Sequence, residues 1–320
     1  MLIELEQGLS LPRGAIPGEI GVILNGRAHR NRGGERPARP PLRSIHWARP
    51  QSPGQLAQAL KRFARARIET LVIDGGDGTL RDVLSAAPAC FAAGLPRIAL
   101  VPSGKTNALA RDLGIPRRWG LEDAIAATAR PSLGRRCPLE LTRAGQVAPF
   151  ARGFLFGAGA FVEATMLGQA AHRAGAFGNL AVGMAVASAI GQTSFGGRDN
   201  PWRRGEAMAV WLDGGEQHRA PLYLAMISTL ERFPLALRPF GPPRPGLKYL
   251  GMAAPPRWAL VKLAGMLFGL AGYAVNRWGI RCCDPATLRI APERFVLDGE
   301  VFAGGPLIVR AGSPIDFVVP

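Results

Sequence analysis

Over roughly the first 130 residues, short apolar runs alternate with stretches that have helical periodicity. The apolar runs predict three buried strands, at residues 19–24, 70–73 and 97–101. Helices are predicted from Ser52-Pro53 through Leu56, Leu60 and Phe63, from Leu80 onwards, and over residues 106–113. This alternation is typical of a doubly wound α/β domain built on a parallel sheet.

After about residue 130 the pattern changes to short strands separated by turn residues. Strands are predicted at residues 139–141, 150–156, 207–212, 221–227, 287–290, 295–297, 307–309 and 317–319, with helical segments at 160–190 and 256–278. The apolar segment 258–275 contains Lys262 and several glycines, so a buried or interfacial helix is favoured over a membrane span. The sequence therefore predicts a doubly wound α/β domain over residues 1–130 and a β-rich domain over 131–320 with helical insertions.

Composition indicates the size of the cores and the cellular compartment that are expected for this protein. The 320 residues are 48% hydrophobic, which is enough for sizeable cores in two domains. The first residues lack the basic-then-apolar pattern of a secretory signal. The four cysteines are scattered and match neither a disulfide framework nor zinc spacing, and the four histidines are dispersed, so a cytoplasmic protein without a histidine-based metal site is expected.

A formal net charge of +16 and a pI near 11.2 point to an anionic partner. Much of the excess is arginine, as in the run from Arg27 to Arg43. No nucleic-acid module is recognisable and aromatic residues are sparse in that run, so specific nucleic-acid binding is not expected. An anionic membrane surface is the remaining candidate, beside an arginine-rich composition that has no specific partner.

The central motif is a glycine-rich turn that follows the apolar run Leu71-Val72-Ile73. It reads Asp74-Gly75-Gly76-Asp77-Gly78-Thr79 and leads into a predicted helix. Glycines let the backbone approach a ligand closely, and the amides at a helix start favour phosphate. Asp77 would then hold a metal, a sugar hydroxyl or the proton of a nucleophile. The alternative is an Asp-Gly hairpin-like turn before a helix cap, with Thr79 and Asp82 forming a pair that resembles a capping box.

A second loop, Pro102-Ser103-Gly104-Lys105-Thr106-Asn107, follows the strand at residues 97–101. Its Gly-Lys-Thr resembles a P-loop, but the glycine that a P-loop needs five residues earlier is replaced by Ala99, inside a strand. A Walker ATPase is therefore not expected, although Gly104, Lys105 and Thr106 remain candidates for phosphate contact. Asn107 is expected to share a helix face with Arg111, as phosphate ligands or as a solvated face.

Three loops are expected to meet at one edge of the predicted sheet. Asn25, the turn at 74–79 and the loop at 102–107 each follow the carboxyl end of a strand, where parallel sheets bind ligands.

The two loops together resemble the catalytic domain of the diacylglycerol kinase family, which includes bacterial lipid kinases, sphingosine kinases and ceramide kinases. The matching residues are the turn at 74–79 and the pattern Pro102-x-Gly104-x-x-Asn107-x-x-Ala110-Arg111-x-Leu113-Gly114-Ile115-Pro116. Leu297-Asp298-Gly299-Glu300 resembles the family's Asp-Gly-Glu motif, and Asn25 resembles the asparagine that ends its first strand. Taken alone, Asp298-Gly299 reads as a type I′ hairpin turn.

The resemblance implies an ATP-dependent lipid kinase that uses Mg²⁺ and transfers the γ-phosphoryl group to a lipid hydroxyl such as that of diacylglycerol. It also implies that residues 1–130 form a Rossmann-like domain that binds the nucleotide and that residues 131–320 form a β-sandwich-like domain that binds the lipid. The nucleotide-binding candidates are Asn25, Gly75, Gly76, Asp77, Gly78, Thr79, Gly104, Lys105, Thr106 and Asn107. Glu300 is the implied general base for the lipid hydroxyl, with Asp77 as the competing candidate.

The chain departs from the family pattern at several acidic positions. Gly26 stands where the family has proline, and Ala108 stands where it has an aspartate of the metal and water network. Glu140 is the only acid near the family's aspartate at the entry to the second domain. The Asp-Asp-Gly stretch that helps to bind a structural metal is absent, and Pro245-Gly246-Leu247 lies roughly in its place. The resemblance therefore does not identify the residues that bind the metal. As a hypothesis, the positive charge of Lys105 replaces some of the metal's charge at the phosphates.

Three kinds of function follow from these observations, beside nucleic-acid binding, which would rest on charge alone. The leading hypothesis is a lipid kinase at the cytoplasmic face of an anionic membrane, with a nucleotide and a lipid as partners and a homodimer left open. A soluble kinase of the NAD-kinase type is the second. A nucleotide- or lipid-binding protein that has lost catalysis is the third, because the family's carboxylates are missing.

Overall fold

A computed structural model of the protein describes residues 19–26, 45–174, 204–218, 221–233, 236–254, 265 and 279–320. The chain divides into two compact units, residues 1–136 with 314–320 and residues 137–313. Residues 1–18, the basic run from Arg27 to Arg43 and, within the predicted helical segments, residues 175–190 and all of 256–278 except 265 lie outside the described residues. Within the described part, no helix is both long and apolar enough to cross a membrane.

The first unit has one mixed sheet, four α-helices and a short 3-10 helix (Ala87–Ala89) among its described residues. Its elements are β1 (Ile20–Leu24), β2 (Ile45–Ala48), α1 (Pro53–Arg65), β3 (Thr70–Gly75), α2 (Asp77–Ala86), β4 (Arg97–Pro102), α3 (Ala108–Asp112), α4 (Leu121–Ala127) and β5 (Ser132–Arg136), joined by the last strand of the chain, Ile315–Val319. The sheet order is β2-β1-β3-β4, then the last strand, then β5. Every pair in it is parallel except the last strand with β5, so the predicted Rossmann-like parallel sheet is confirmed.

Local sequence explains where the first helix begins. Ser52 has extended backbone and its Oγ accepts a 3.3 Å hydrogen bond from the N–H of Gln55, while Pro53 occupies the first turn. Leu56, Leu60 and Phe63 are buried along one face of α1, as their spacing predicts. The helix packs against α2.

The second unit consists mainly of antiparallel strands. They are β6 (Leu139–Arg143), β7 (Ala151–Gly153), β8 (Leu155–Gly159), β9 (Ala209–Leu212), β10 (Glu216–His218), β11 (Leu222–Ser228), β12 (Lys248–Ala253), β13 (Ile280–Cys283), β14 (Thr287–Ala291), β15 (Arg294–Leu297), β16 (Glu300–Ala303) and β17 (Leu307–Ala311), and helix α5 (Ala160–Ala174) follows β8. One six-stranded sheet has the order β10-β9-β14-β17-β6-β7 and the other β13-β12-β11-β8-β15-β16.

The two antiparallel sheets share one core, which makes this unit sandwich-like. Leu288 and Val309 of the first sheet belong to the same buried cluster as Phe156 and Phe295 of the second. Successive side chains of β11 point to opposite faces of the second sheet, and both faces are packed with apolar residues. Ala225 and Ile227 belong to this core, whereas Leu224 and Met226 belong to a smaller cluster with Phe240 and Ile280.

Several strands differ from the prediction. The last strand, Ile315–Val319 (β18), was expected in the second domain but pairs with β4 and β5 in the first sheet. The alternation of apolar and polar residues in this strand does not show which unit it joins, because the sheets of both units bury apolar side chains. The predicted strand 150–156 is divided between β7 and β8, and β2, β5, β10, β12, β13 and β16 were not predicted.

Candidate functional site

The ends of β1 and β3 are joined by Asn25. Parallel pairing places Leu24 opposite Asp74, so Asn25 lies beside the start of the glycine-rich turn. Its backbone N–H donates to the carbonyl oxygen of Asp74 at 2.9 Å. Its Nδ2 donates to Oγ1 of Thr79 at 2.7 Å, which connects the first loop to the first turn of α2.

The two glycine-rich loops touch through their backbones. A Cβ atom built on Gly104 would lie 2.5 Å from the Cα of Gly76, and one built on Gly76 would lie 3.0 Å from the Cα of Gly104. Pairing of β3 with β4 brings the loops to this position, because Gly75 is opposite Pro102. The three predicted loops therefore meet at the carboxyl edge of the sheet, and side chains are excluded from the contact.

The other glycines of the turn have different requirements. A Cβ on Gly75 would lie 2.6 Å from Cβ and Oγ1 of Thr79, so the packing of Thr79 requires glycine there. A Cβ on Gly78 would meet only the guanidinium of Arg81, at 3.9 Å or more. Packing against the protein therefore does not require glycine at position 78.

Helix α2 begins at Asp77, and no side chain caps it. Its N-cap residue is Gly76, in an extended conformation. The helix therefore starts earlier than predicted, and the alternatives of a hairpin-like turn and of a Thr79–Asp82 capping pair are wrong. An amide-lined helix start beside a glycine backbone favours an anion such as phosphate.

Asp77 connects the turn to the second loop. Its Oδ1 accepts a 2.7 Å hydrogen bond from the backbone N–H of Ala108, at the first residue of α3. Burial raises the pKa of Asp77 above its ordinary value, and hydrogen bonds from the amides of Ala108, Leu109 and Asn107 oppose that rise. The side chain is thus part of the scaffold of the loops.

Asn107 holds the second loop closed. It has left-handed backbone, with φ of 48°, and its side chain is buried. Its Oδ1 accepts from the N–H of Gly104 at 2.9 Å, and its Nδ2 donates to the carbonyl oxygens of Gly104 at 2.8 Å and Pro102 at 3.2 Å. The expectation that it shares a helix face with Arg111 is wrong, because Asn107 precedes the helix and turns inward.

Lys105 and Thr106 lie at the exposed tip of the same loop. Both are accessible to a ligand that approaches Gly104 from solvent. The nucleotide-binding candidates therefore form one group in the first unit, with two exposed members at its edge.

Two buried or partly buried polar pairs of the first unit were not predicted. The hydroxyl of Ser103 donates to the buried carboxylate of Asp74, between the ends of β4 and β3. Asp112, at the end of α3, forms a 2.7 Å ion pair with Arg136 of β5. The sequence signal for Asp74 and Ser103 is their position after adjacent parallel strands; the Asp112–Arg136 pair has no local signal, because β5 was not predicted.

Glu300 lies in the second unit, just after a tight hairpin. Asp298 and Gly299 have φ of 47° and 83°, as a type I′ turn requires, so the turn prediction is confirmed. The carboxylate of Asp298 accepts hydrogen bonds from the N–H groups of Phe154 and Leu155 at 2.9–3.1 Å. Glu300 itself is exposed at the start of β16. Of the two acids in the motif, Asp298 therefore anchors the turn and Glu300 is presented to solvent.

The second unit also contains an open cavity beside α5 that the sequence did not predict. It has a volume of about 1540 Å³, including space open to solvent, and its charged lining residues are Glu163, Arg204, Glu206, Glu293 and Arg294, together with Tyr223. Arg294 Nη2 donates to Glu163 at 2.6 Å, and burial raises the pKa of Glu206. The available signal was Glu163, an acid that interrupts the apolar run Ala160-Phe161-Val162.

Helix α5 links this cavity to the hairpin of Glu300. Glu163 in its first turn reaches Arg294, and Gln169, further along, donates to the carbonyl oxygen of Gly299 at 2.8 Å. The cavity and the hairpin therefore belong to one packed region of the second unit.

A metal ion held by protein ligands alone does not fit the described residues. Among them, no group of three or more His, Cys, Asp or Glu side chains is arranged to hold one. At the glycine-rich loops, Asp74 and Asp77 are each engaged by hydrogen-bond donors of the second loop. Mg²⁺ often uses only one or two carboxylates and completes its shell with phosphates and water. These loops therefore fit Mg²⁺ only as a companion of a bound phosphate chain.

Comparisons with known proteins test the family resemblance of these loops. Residues 19–135 match the family model described as the diacylglycerol kinase catalytic domain. No curated protein matches the sequence significantly.

Solved structures with a similar fold include proteins from Bacillus anthracis str. Sterne. One diacylglycerol kinase from this organism has a TM-score of 0.62 and 13% identity, covering 94% of this chain and 97% of its own. Another protein, provisionally described as a diacylglycerol kinase, has a TM-score of 0.64 and 14% identity over the same shares. At these identities the structures show a common fold. Together with the family model, they confirm the resemblance seen in the glycine motifs: residues 19–135 of this chain are similar to the diacylglycerol kinase catalytic domain.

Proposed function

We propose that the protein is an ATP-dependent lipid kinase that transfers the γ-phosphoryl group of ATP to a lipid hydroxyl such as that of diacylglycerol. The observation that carries this proposal is the backbone contact between Gly76 and Gly104. It gives a catalytic domain of this family a side-chain-free surface beside an uncapped helix start, which suits a phosphate chain.

The nucleotide would be held by the group of loops in the first unit. The backbone from Gly76 to Thr79 would receive the phosphates, with Lys105 supplying positive charge from the loop tip. Asn25 and Asn107 would act by fixing the loops. Bound Mg²⁺ would neutralise charge that develops on the phosphates, and Asp74 and Asp77 are the nearest carboxylates in these loops.

The lipid headgroup would use the cavity beside α5. Its lining combines the Glu163–Arg294 pair with Tyr223 and Glu206, groups able to hydrogen-bond a hydroxyl or ester. Since α5 also contacts the hairpin at Gly299, a headgroup in this region would lie in the same packed part of the second unit as Glu300.

Glu300 is the proposed general base. It would accept the proton of the lipid hydroxyl as that oxygen bonds to the γ-phosphorus and the bond from phosphorus to the β–γ bridging oxygen breaks, releasing ADP. Exposure of Glu300 supports this role. Asp77 is the weaker candidate, because its carboxylate already accepts backbone hydrogen bonds.

The net charge of +16 supports work at the cytoplasmic face of an anionic membrane. Sedimentation with phosphatidylserine vesicles should be strong at low salt and weak at high salt, and phosphatidylcholine vesicles should bind poorly. Equal binding to both compositions would contradict the proposed electrostatic attachment.

The direct experiment is transfer of labelled γ-phosphate from ATP to diacylglycerol, ceramide, sphingosine and NAD. We expect a labelled lipid from the purified chain and a loss of at least about tenfold in kcat for Glu300→Gln. Label on NAD alone would replace the lipid kinase with a soluble kinase.

A second function is favoured by one observation. The carboxylate of Asp77 accepts hydrogen bonds from backbone amides and is thereby engaged in the scaffold of the loops. This engagement suits a nucleotide-binding protein without catalysis. ATP binding without transfer to any acceptor would support this alternative.

A further inference from the structure

The segment from Phe240 to Lys248 in the second unit is folded around two cations of its own. Lys248 is only 2% exposed, which is exceptional for a lysine. Its Nζ donates to the carbonyl oxygens of Arg244 and Gly246, each at 2.9 Å. The chain therefore curls back on the ammonium group of a residue at the start of β12.

The guanidinium of Arg244 is the second cation. Its Nη1 donates to the carbonyl oxygens of Phe240 at 2.6 Å and Pro242 at 3.2 Å. Its Nε and Nη2 bind the carboxylate of Asp284 at 2.6 and 2.5 Å. This bidentate pair raises the pKa of Arg244 and connects the segment to the residue that follows β13.

Four carbonyl oxygens at alternating positions, 240, 242, 244 and 246, thus point at positive charge. Gly241 and Gly246 have φ of 88° and 93°, and this left-handed backbone lets the carbonyls turn inward. Backbone carbonyls with a nearby carboxylate are the ligand set of a hard divalent cation. Here the same kinds of group surround an ammonium and a guanidinium.

The family resemblance implies a structural metal close to this place, held with the help of an Asp-Asp-Gly stretch. In this chain the acids are missing, and Arg244-Pro245-Gly246 precedes a buried lysine. A divalent ion among these carbonyls would be repelled by two adjacent positive charges, and burial strengthens that repulsion. The residues present do not fit the metal.

We propose that Lys248 and Arg244 take over the role of a structural metal ion, so that the segment 240–248 is ordered by internal cations and needs no divalent metal. The inference concerns folding of the second unit and holds whether or not the chain phosphorylates a lipid. Any metal dependence of activity would then belong to the nucleotide alone.

Thermal unfolding of the full chain, without nucleotide, tests the proposal. For the wild type we expect the same Tm in EDTA and in MgCl₂. Lys248→Met keeps the length of the side chain but removes the ammonium group, and should lower the Tm by roughly 4–10 °C. Lys61→Met, on the exposed face of α1, is the matched control and should leave the Tm unchanged. A Lys248→Met protein as stable as this control, or a wild-type Tm that falls on chelation, would overturn the proposal.

Hydrogen exchange of the wild type keeps the test decisive if Lys248→Met does not fold. Peptides that cover residues 240–248 should exchange at the same rate in EDTA and in MgCl₂. Faster exchange of these peptides in EDTA would show that a metal orders the segment and would contradict the inference.

Discussion

The Oδ1 atom of Asp77 accepts a 2.7 Å hydrogen bond from the backbone N–H of Ala108. The family resemblance implies an aspartate at the position of Ala108, and in this chain the backbone N–H of that position still holds Asp77. Asp77 lies in the first turn of α2, and Ala108 begins α3. The bond therefore fixes the spacing of the two loops that are proposed to bind phosphate.

Replacing Asp77 distinguishes scaffold from chemistry. Asparagine keeps an oxygen acceptor toward Ala108, whereas alanine removes it and leaves a half-buried N–H without its partner. We expect Asp77→Asn to keep ATP affinity within about threefold and Asp77→Ala to weaken it by at least about tenfold, as measured by calorimetry. Equal, large losses of kcat in both variants with unchanged ATP affinity would instead make Asp77 a catalytic base.

The raised pKa of Asp77 also predicts a pH dependence of stability. Because the folded-state pKa lies above the unfolded value of 3.8, the folded chain binds the proton more tightly. The contribution of this group is therefore fully present below pH 3.8 and is lost as the pH rises through the folded pKa. The free energy of unfolding of Asp77→Asn relative to wild type should increase with pH across that window. A constant difference would show that burial does not perturb this carboxyl.

The contact between Gly76 and Gly104 predicts a graded glycine series. Gly104→Ala places a Cβ against backbone atoms and should separate the loops, with loss of ATP binding of at least about tenfold. Gly78→Ala meets no protein atom closer than 3.9 Å, so it should fold like wild type and lose affinity only because the methyl group meets the ligand. ATP titrations and Tm values of both variants provide the measurement.

Gly54 supplies the control for this series. It lies in the first turn of α1, and an added Cβ there has no neighbour within 4 Å. Gly54→Ala should bind ATP like wild type and be slightly more stable, because alanine is the better helix former. If Gly104→Ala behaves like Gly54→Ala, the backbone contact is not required for binding.

The hydrogen bond from Asn25 to Thr79 predicts a difference between two substitutions of similar size. Thr79→Ser keeps the Oγ acceptor, whereas Thr79→Val keeps the shape and removes it. Thr79→Val should destabilise the fold by about 1 kcal/mol more than Thr79→Ser and weaken ATP binding more strongly. Chemical denaturation and ATP titration would measure both effects. Equal stability and equal ATP affinity of the two variants would show that this hydrogen bond contributes to neither.

The meeting of the loops followed from the sequence because parallel strands share a carboxyl edge. Asn25, Gly76 and Gly104 each follow a run that is apolar enough to be a buried strand, so order along the chain was sufficient. The backbone conformations within the loops could not be predicted from the sequence. Asn107 was placed on a helix face because helical spacing to Arg111 carries no information about a left-handed cap.

Long-range contacts between strands could not be predicted from the sequence for a related reason. The last strand has the same alternation as its predecessors, and its place beside β4 depends on a partner more than 200 residues away. The cavity beside α5 depends likewise on residues from β11 and β15 that come together only in the fold. In contrast, the Asp298-Gly299 turn was predictable because its backbone conformation is dictated by two adjacent residues.

The two acids of the hairpin should have separable effects. Asp298→Ala removes an acceptor for the N–H groups of Phe154 and Leu155, so it should destabilise the second unit by roughly 1–3 kcal/mol. Glu300→Gln changes an exposed side chain and should leave the Tm within about 1 °C while reducing kcat. The separation matters because loss of activity in Asp298→Ala alone would report only on folding. If Glu300→Gln keeps full phosphoryl transfer, the proton must go elsewhere, and the proposed base is wrong even though the kinase is not.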